Sequence, residues 1–295
     1  MKQRSLRARE TTAAWIFVLP WLLGLLLFVA GPIITSFIVS FTDWDLLTRP
    51  KWIGAQNYKE LLGNDPLLWQ SVKVSAIYTF ASVPLGMGFA LLVALGLNRR
   101  LPGLAIFRTI YYLPAILSGV AVAMLWQWVF SPEFGLINTF LRYFSLPAPG
   151  WLASESWALP ALIIMGLWGI GGTAIIYLSG LQNIPDQLYE AAMIDGAGPW
   201  KSFRHVTIPM LSPVLFFTLI MGIIGSFQVF TQAYVMTNGG PANATLFFVL
   251  YLYRNAFEWL KMGYASALAW LLFVIILSLT LLNFALAKYW VHYED

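Results

Sequence analysis

Six stretches without a single Asp, Glu, Lys or Arg organise the chain: 11–42, 74–98, 109–132, 156–185, 206–253 and 262–287. Each meets or exceeds the roughly 20 apolar residues that an α-helix needs to cross a bilayer core. The fifth is too long for one crossing. It breaks at Asn238-Gly239-Gly240-Pro241, where a helix cannot easily continue. The alternation predicts an all-α polytopic membrane protein with six transmembrane helices in a single domain, 1–295. The spans fall near 13–40, 72–97, 107–130, 157–181, 213–237 and 263–287.

Patterning inside the runs adds detail. Pro20 and Pro32 should kink the first span. Between the first two spans, 57–62 reads as a short amphipathic helix near the interface. Tyr111-Tyr112 and Trp126, Trp128 bracket the third span as interfacial anchors. The fourth carries Gly166, Gly169, Gly171, Gly172 and Gly180, which point to close helix packing. The fifth has the most polar face, with Ser226, Gln228, Thr231, Gln232 and Tyr234.

Composition agrees with the pattern. Of the 295 residues, 59% are hydrophobic and 10% charged, against about 25% charged in a soluble domain. The absence of cysteine excludes disulfides and thiol chemistry. Lys2, Arg4, Arg7 and Arg9 precede the first run, and Arg99-Arg100 follows the second. The positive-inside rule then puts the N-terminus in the cytoplasm, and six crossings return the C-terminus there. The apolar stretch from Trp15 to Phe41 far exceeds the roughly 7–15 residues of a signal-peptide core, so the first helix is read as retained.

Between the fourth and fifth spans, 182–212 forms a polar island holding Asp186, Glu190, Asp195, Lys201 and Arg204. Ile184-Pro185-Asp186 suits a helix start, since proline tolerates the first turn and an acid there complements the dipole. Residues 187–195 read as a short helix ended by Gly196. Gly198-Pro199 opens a second short helix, 200–206, which Pro209 should stop, with Asp195 as its candidate cap.

The chain lacks the motifs that mark catalysis. It has no Gly-x-x-x-x-Gly-Lys-[Ser/Thr] phosphate loop, no His-Glu-x-x-His and no Gly-x-Ser-x-Gly. His205 and His292 stand alone, so neither an enzyme nor a metal site is expected. The ionisable residues nearest a span interior are Lys73 and Arg108, at span edges, and no buried acid suggests a proton relay. A passage of this kind would need an external engine.

Glu190-Ala191-Ala192, Asp195-Gly196-Ala197, Phe203, Ile208-Pro209 and Pro213 closely resemble the EAA loop of bacterial ABC-importer permeases. The spacing agrees along the loop, with Ile208 where the pattern usually has Leu. Asn238-Gly239-Gly240-Pro241 with Ala244-Thr245 is similar to the outer loop of the carbohydrate-uptake branch, and Ala256-Phe257 and 263–267 continue the likeness. The short first outer segment resembles glycerol-phosphate and lactose type permeases.

The resemblance implies a permease subunit in the bacterial cytoplasmic (inner) membrane, forming half of a carbohydrate or polyol pathway. It implies a second homologous permease, two ATP-binding cassette ATPase subunits and an extracytoplasmic solute-binding protein as partners, with no nucleic acid. No cofactor is expected on this chain; ATP and magnesium belong on the ATPase. Glu190, Ala191, Ala192, Asp195, Gly196, Ile208 and Pro209 would couple to the ATPase, and Asn238, Gly239, Gly240 and Pro241 would face the binding protein. Sugars need aromatic faces and planar amides or hydroxyls, which Trp168, Tyr177, Ser226, Gln228, Thr231 and Tyr234 offer. Helix–helix hydrogen bonding and lipid contact account for the same six equally well. Another solute such as glycerol phosphate, or a self-sufficient secondary carrier, is the alternative.

Overall fold

The computed structural model describes residues 2–99 and 102–292, without the side chains of 2–7 and 9. The basic side chains of Lys2, Arg4, Arg7 and Arg9, and the whole of Arg100, lie outside the described residues. Along the chain run α1 (Lys2–Leu25), α2 (Gly31–Val39), β1 (Thr42–Asp43), β2 (Lys51–Trp52), α3 (Gln56–Asn64), α4 (Pro66–Leu97), α5 (Leu104–Ile116), α6 (Gly119–Val129) and α7 (Leu136–Tyr143). They are followed by α8 (Ala158–Trp168), α9 (Gly171–Gln182), α10 (Asp186–Ile194), α11 (Pro199–Ser202), α12 (Ile208–Phe227), α13 (Phe248–Tyr253) and α14 (Met262–Ala287). The fold is all-α apart from the two-residue strands β1 and β2, paired antiparallel.

Four helical stretches are long and apolar enough to cross a membrane unbroken: Glu10–Val39, Pro66–Leu97, Pro199–Phe227 and Met262–Ala287. Two bent pairs bring the total to six when each counts as one span. The third and fourth spans are therefore not the straight helices their hydropathy suggests. α5 and α6 meet at 100° and α8 and α9 at 46°. Pro114 takes a donor out of the last turn of α5, and Leu117 and Ser118 are extended. Gly169-Ile170 opens the second bend after Trp168.

The fifth span departs furthest from expectation. Pro209 does not stop a helix. Pro199–Phe227 is continuous, and the long helix begins 14 residues before the expected position 213 and ends ten before 237. The reason lies in a five-residue π turn, Phe203–Thr207, just ahead of Pro209. There Ile208 N–H bonds to the Phe203 carbonyl, one residue further back than in an α-helix. That wider turn relieves the crowding that a proline ring imposes on the preceding turn. The same device recurs at Leu26–Ala30, just ahead of Pro32, and joins α1 to α2.

The chain divides into two compact units. The first holds 1–65 and 252–271. Asn57, buried in α3, donates to the carbonyls of Ser40 (2.9 Å) and Thr42 (3.0 Å). The Tyr264 hydroxyl donates to Asp65 Oδ2 at 2.6 Å, and Trp270 packs edge-on against Phe37. Gly263 is pressed so close to the Thr42 carbonyl that no Cβ would fit.

The second unit holds 66–251 and 272–295. Its core joins Ala90, Ala94 and Leu97 of α4 to Ala174, Tyr177 and Leu181 of α9 and to Leu211 of α12. Small residues set the approach of these helices, as packing in an apolar solvent requires. A Cβ at Gly171 would collide with the Tyr111 carbonyl, and one at Gly180 would lie 2.6 Å from Leu211 Cδ1. The tail folds back on α12, where His292 N–H donates to Ser212 Oγ at 2.8 Å.

Candidate functional site

The polar island folds as α10 followed by a hinge into the long helix. Pro185 is extended and Asp186 occupies the first turn of α10, where its charge complements the helix dipole. At the other end Gly196 has φ +74°. Gly196 N–H donates to the Met193 carbonyl (3.0 Å) and Ala197 N–H to the Ala192 carbonyl (2.8 Å), the paired bonds of a glycine-terminated helix. A Cβ at Gly196 would meet nothing within 4 Å. Glycine is needed there for its left-handed backbone and not for room.

Asp195 does not cap the second helix. It is the C-cap of α10, while Gly198 stands at the N-cap of α11 with no side-chain bond. Glu190, Ala191 and Asp195 are exposed, and Ala192, Ile208 and Pro209 are partly buried. Among the described residues the Glu190 carboxylate has no ion pair. The Tyr189 hydroxyl and the buried Thr207 hydroxyl lie 3.0 Å apart and tie α10 to the foot of the long helix. His205 is exposed, on the helix and not in a loop, with Nδ1 3.0 Å from the Lys201 carbonyl.

Reading the motif missed what lies beside it. Met193 is 63% exposed, Ile194 87% and Trp200 72%. Large apolar side chains so exposed on a polar segment mark a surface that something else covers. The signal was present in the sequence: three bulky apolar residues stand among charges, between the fourth and fifth charge-free runs.

Deeper in the second unit, a cavity of about 320 Å³ lies between α4, the α8–α9 bend and α12. Tyr78, Ser82, Thr173, Thr218, Ser226 and Gln232 give it polar walls. Of the six residues proposed from sequence for the solute pathway, Ser226 alone lines it, donating to Thr79 Oγ1 at 2.8 Å. Tyr177 is fully buried and 2.7 Å from the Thr218 hydroxyl, a packing role. Trp168 pairs edge-on with Trp126 at 6.0 Å. Gln228 is the C-cap of α12, and Thr231 and Tyr234 lie beyond that helix, with Tyr234 stacked on Phe230 at 5.3 Å. Tyr78, Ser82 and Thr173 went unnoticed because isolated hydroxyls in an apolar run look like helix-internal bonds.

The loop after α12, 238–245, is drawn into the second unit. Thr245, fully buried, donates to the Gly240 carbonyl at 2.7 Å and lies 2.7 Å from the Thr237 hydroxyl. Gln70 Nε2 donates to the Asn243 carbonyl (3.1 Å), and the Ser75 hydroxyl accepts Phe248 N–H (3.0 Å). Asn238 and Pro241 stay accessible, while Gly239 is buried.

Comparison with known proteins agrees with this architecture. Residues 82–290 match the family of binding-protein-dependent transport system inner membrane components. A probable ABC transporter permease, YesP of Bacillus subtilis (strain 168), is 43% identical over 298 residues, covering 100% of this chain and 96% of that protein. The lactose transport system permease LacF of Rhizobium radiobacter is 35% identical over 291 residues, covering 96% and 97%. A chain in the crystal structure of a bacterial ABC transporter that imports the acidic polysaccharide alginate has the same fold, with TM-score 0.84 at 23% identity over 97% of this chain and 98% of that one. On the match from α4 to the tail, and on identity along the whole length, this chain belongs to the family of binding-protein-dependent transport system inner membrane components.

Proposed function

We propose that the chain is one of two permease subunits of an ATP-driven importer for an oligosaccharide or related polyol. It sits in a bacterial inner membrane with both termini on the ATPase side. The observation that carries the reading is α10 with its flanks: an exposed acid at Glu190, exposed Met193, Ile194 and Trp200, and the Gly196 hinge leading into one helix that runs to Phe227. A nucleotide-driven partner gripping that surface would have a rigid lever. The Tyr189–Thr207 bond moves α10 and the lever's foot together, and Pro199–Phe227 carries the motion to the wall of the polar cavity. Ser226, Thr218 and Gln232 would then meet solute hydroxyls as that wall shifts.

A sugar is favoured because relatives such as LacF and the arabinooligosaccharide permease AraP of Bacillus subtilis (strain 168) are named for sugars. The cavity's hydroxyls and amide suit the same chemistry. A solute-binding protein would meet the outer loop at Asn238 and Pro241. The test is uptake of labelled oligosaccharides into proteoliposomes that hold this chain, its companion permease, the ATPase and the binding protein. Uptake should need ATP and every component. Uptake by this chain alone down an ion gradient would sink the reading.

A further inference from the structure

A second cleft in the same compact unit shares Tyr189 with the contact to Thr207 and is otherwise separate from the mechanism above. It lies where α4 ends, α5 begins and α10 starts, has a volume of about 500 Å³, and is lined by Asn98, Arg99, Arg108, Gln182, Asp186 and Tyr189. Arg108 Nη2 reaches the Leu97 carbonyl at 3.4 Å, while its Nε is buried without a partner. A buried donor without a partner is costly, so Arg108 keeps donor capacity that this chain's own acceptors do not use. Neither arginine has an ion pair among the described residues. Asp186 is the acid facing them, and two guanidinium groups against one carboxylate leave the lining net positive.

Beside the cleft, sharing Leu104 with it, is an apolar groove of about 360 Å³ lined by Phe89, Leu92, Val93, Leu97, Phe107 and Tyr111. A cationic pocket adjoining a greasy groove has the polarity of a phospholipid, with an anionic head and an acyl tail. Basic pockets between membrane helices on the cytoplasmic side hold such headgroups. The arginine fork suits two phosphate oxygens at once.

We propose that this cleft binds the phosphate of an anionic phospholipid through Arg99 and Arg108, with an acyl chain along the groove. The bound lipid links the α4–α5 turn to α10. The proposal rests on the function above only in naming α10 the coupling helix and its side the cytoplasm; the binding itself does not. Asp186 opposes the anion, so Asp186→Asn should tighten it.

The experiment titrates the purified full-length chain in mild detergent with phosphatidylglycerol, with phosphatidylethanolamine of the same acyl chains, and with inorganic phosphate, read by melting temperature and native mass spectrometry. Phosphatidylglycerol should stabilise the chain and phosphatidylethanolamine should not. Arg99→Gln with Arg108→Gln should lower phosphatidylglycerol affinity at least tenfold. Arg108→Lys keeps the charge and loses the fork, so it should fall between, and it serves as the readout where the double variant fails to fold. Equal binding of the two lipids, or binding unchanged in Arg108→Lys and the double variant, overturns the proposal. Stabilisation by inorganic phosphate as strong as by phosphatidylglycerol overturns the lipid and leaves a soluble-anion site. None of these readouts uses transport, so a failure here is separate from a failure of the importer reading.

Discussion

At one end of α12, residues 186–207 hold bulky apolar side chains outside the fold; at the other, 238–245 draw their polar groups into it. The contrast extends to the backbone. In the first segment the left-handed residue is Gly196, with open space around it. In the second, Asn238, Ala242 and Asn243 have positive φ although each carries a Cβ. Such a state costs an ordinary residue roughly 1–2 kcal/mol and persists where surrounding bonds over-determine it. Thr245 and Gln70 supply those bonds. The 238–245 loop therefore carries its own supports. The 186–207 segment has a hinge and an unfinished surface, which fits the partner-facing role proposed for it.

The sharpest way to break this contrast is to reverse the charge at Glu190. An exposed acid without an ion pair contributes little to this chain's own stability, so Glu190→Lys should leave the melting temperature within error. Docking on a complementary partner should lose about 2 kcal/mol, roughly thirtyfold in affinity. ATPase retention on the purified complex and initial uptake rates measure both. A fall in melting temperature with uptake intact would invert the roles assigned to the two segments.

Trp200→Ala should act in the same direction, weakening ATPase retention by about 2 kcal/mol, as loss of a buried aromatic anchor does. Its 72% exposure in the isolated chain means that the chain itself should not notice. Thr245→Val should do the opposite. It strands the Gly240 carbonyl, although the Thr237 hydroxyl keeps the Ala233 carbonyl, so the chain should lose about 2 kcal/mol of stability, while uptake per folded complex changes little. Chemical or thermal unfolding in detergent reads the first effect and uptake normalised to folded protein the second.

How much of this could be read from the sequence follows the same division. Charge-free runs marked the crossings, because exclusion of charge from hydrocarbon is a property of composition. The spacing around Glu190 and Gly196 marked a short helix ended by a left-handed glycine, because both are local features. The bends at Leu117 and Gly169 were hidden, since both sides of each are equally apolar. Pro209 misled because proline's usual effect was applied without the π turn that accommodates it. The cavity was hidden because Ser82, Thr173 and Ser226 are distant in sequence and meet only when α4, α9 and α12 pack. Thr245 and Gly263 depend likewise on neighbours that the fold alone supplies.

The smallest effect is the finest test, because it compares one backbone state in the two segments. Gly196→Ala adds a Cβ to a residue at φ +74° with nothing within 4 Å, so strain alone should cost about 1 kcal/mol. Gly196→Asn should recover part of it, since asparagine tolerates the left-handed region best among residues with a Cβ. At Asn238, φ +44°, the reverse substitution Asn238→Gly relieves local strain but frees the unfolded chain, and the two should nearly cancel, within about 0.5 kcal/mol. The stability ranking at 196 should therefore be Gly, then Asn, then Ala, with uptake falling in the same order as the hinge stiffens. A Gly196→Ala chain as stable as the original would show that the hinge relaxes out of its left-handed state, and α10 would then have no fixed angle to the lever it is held to move.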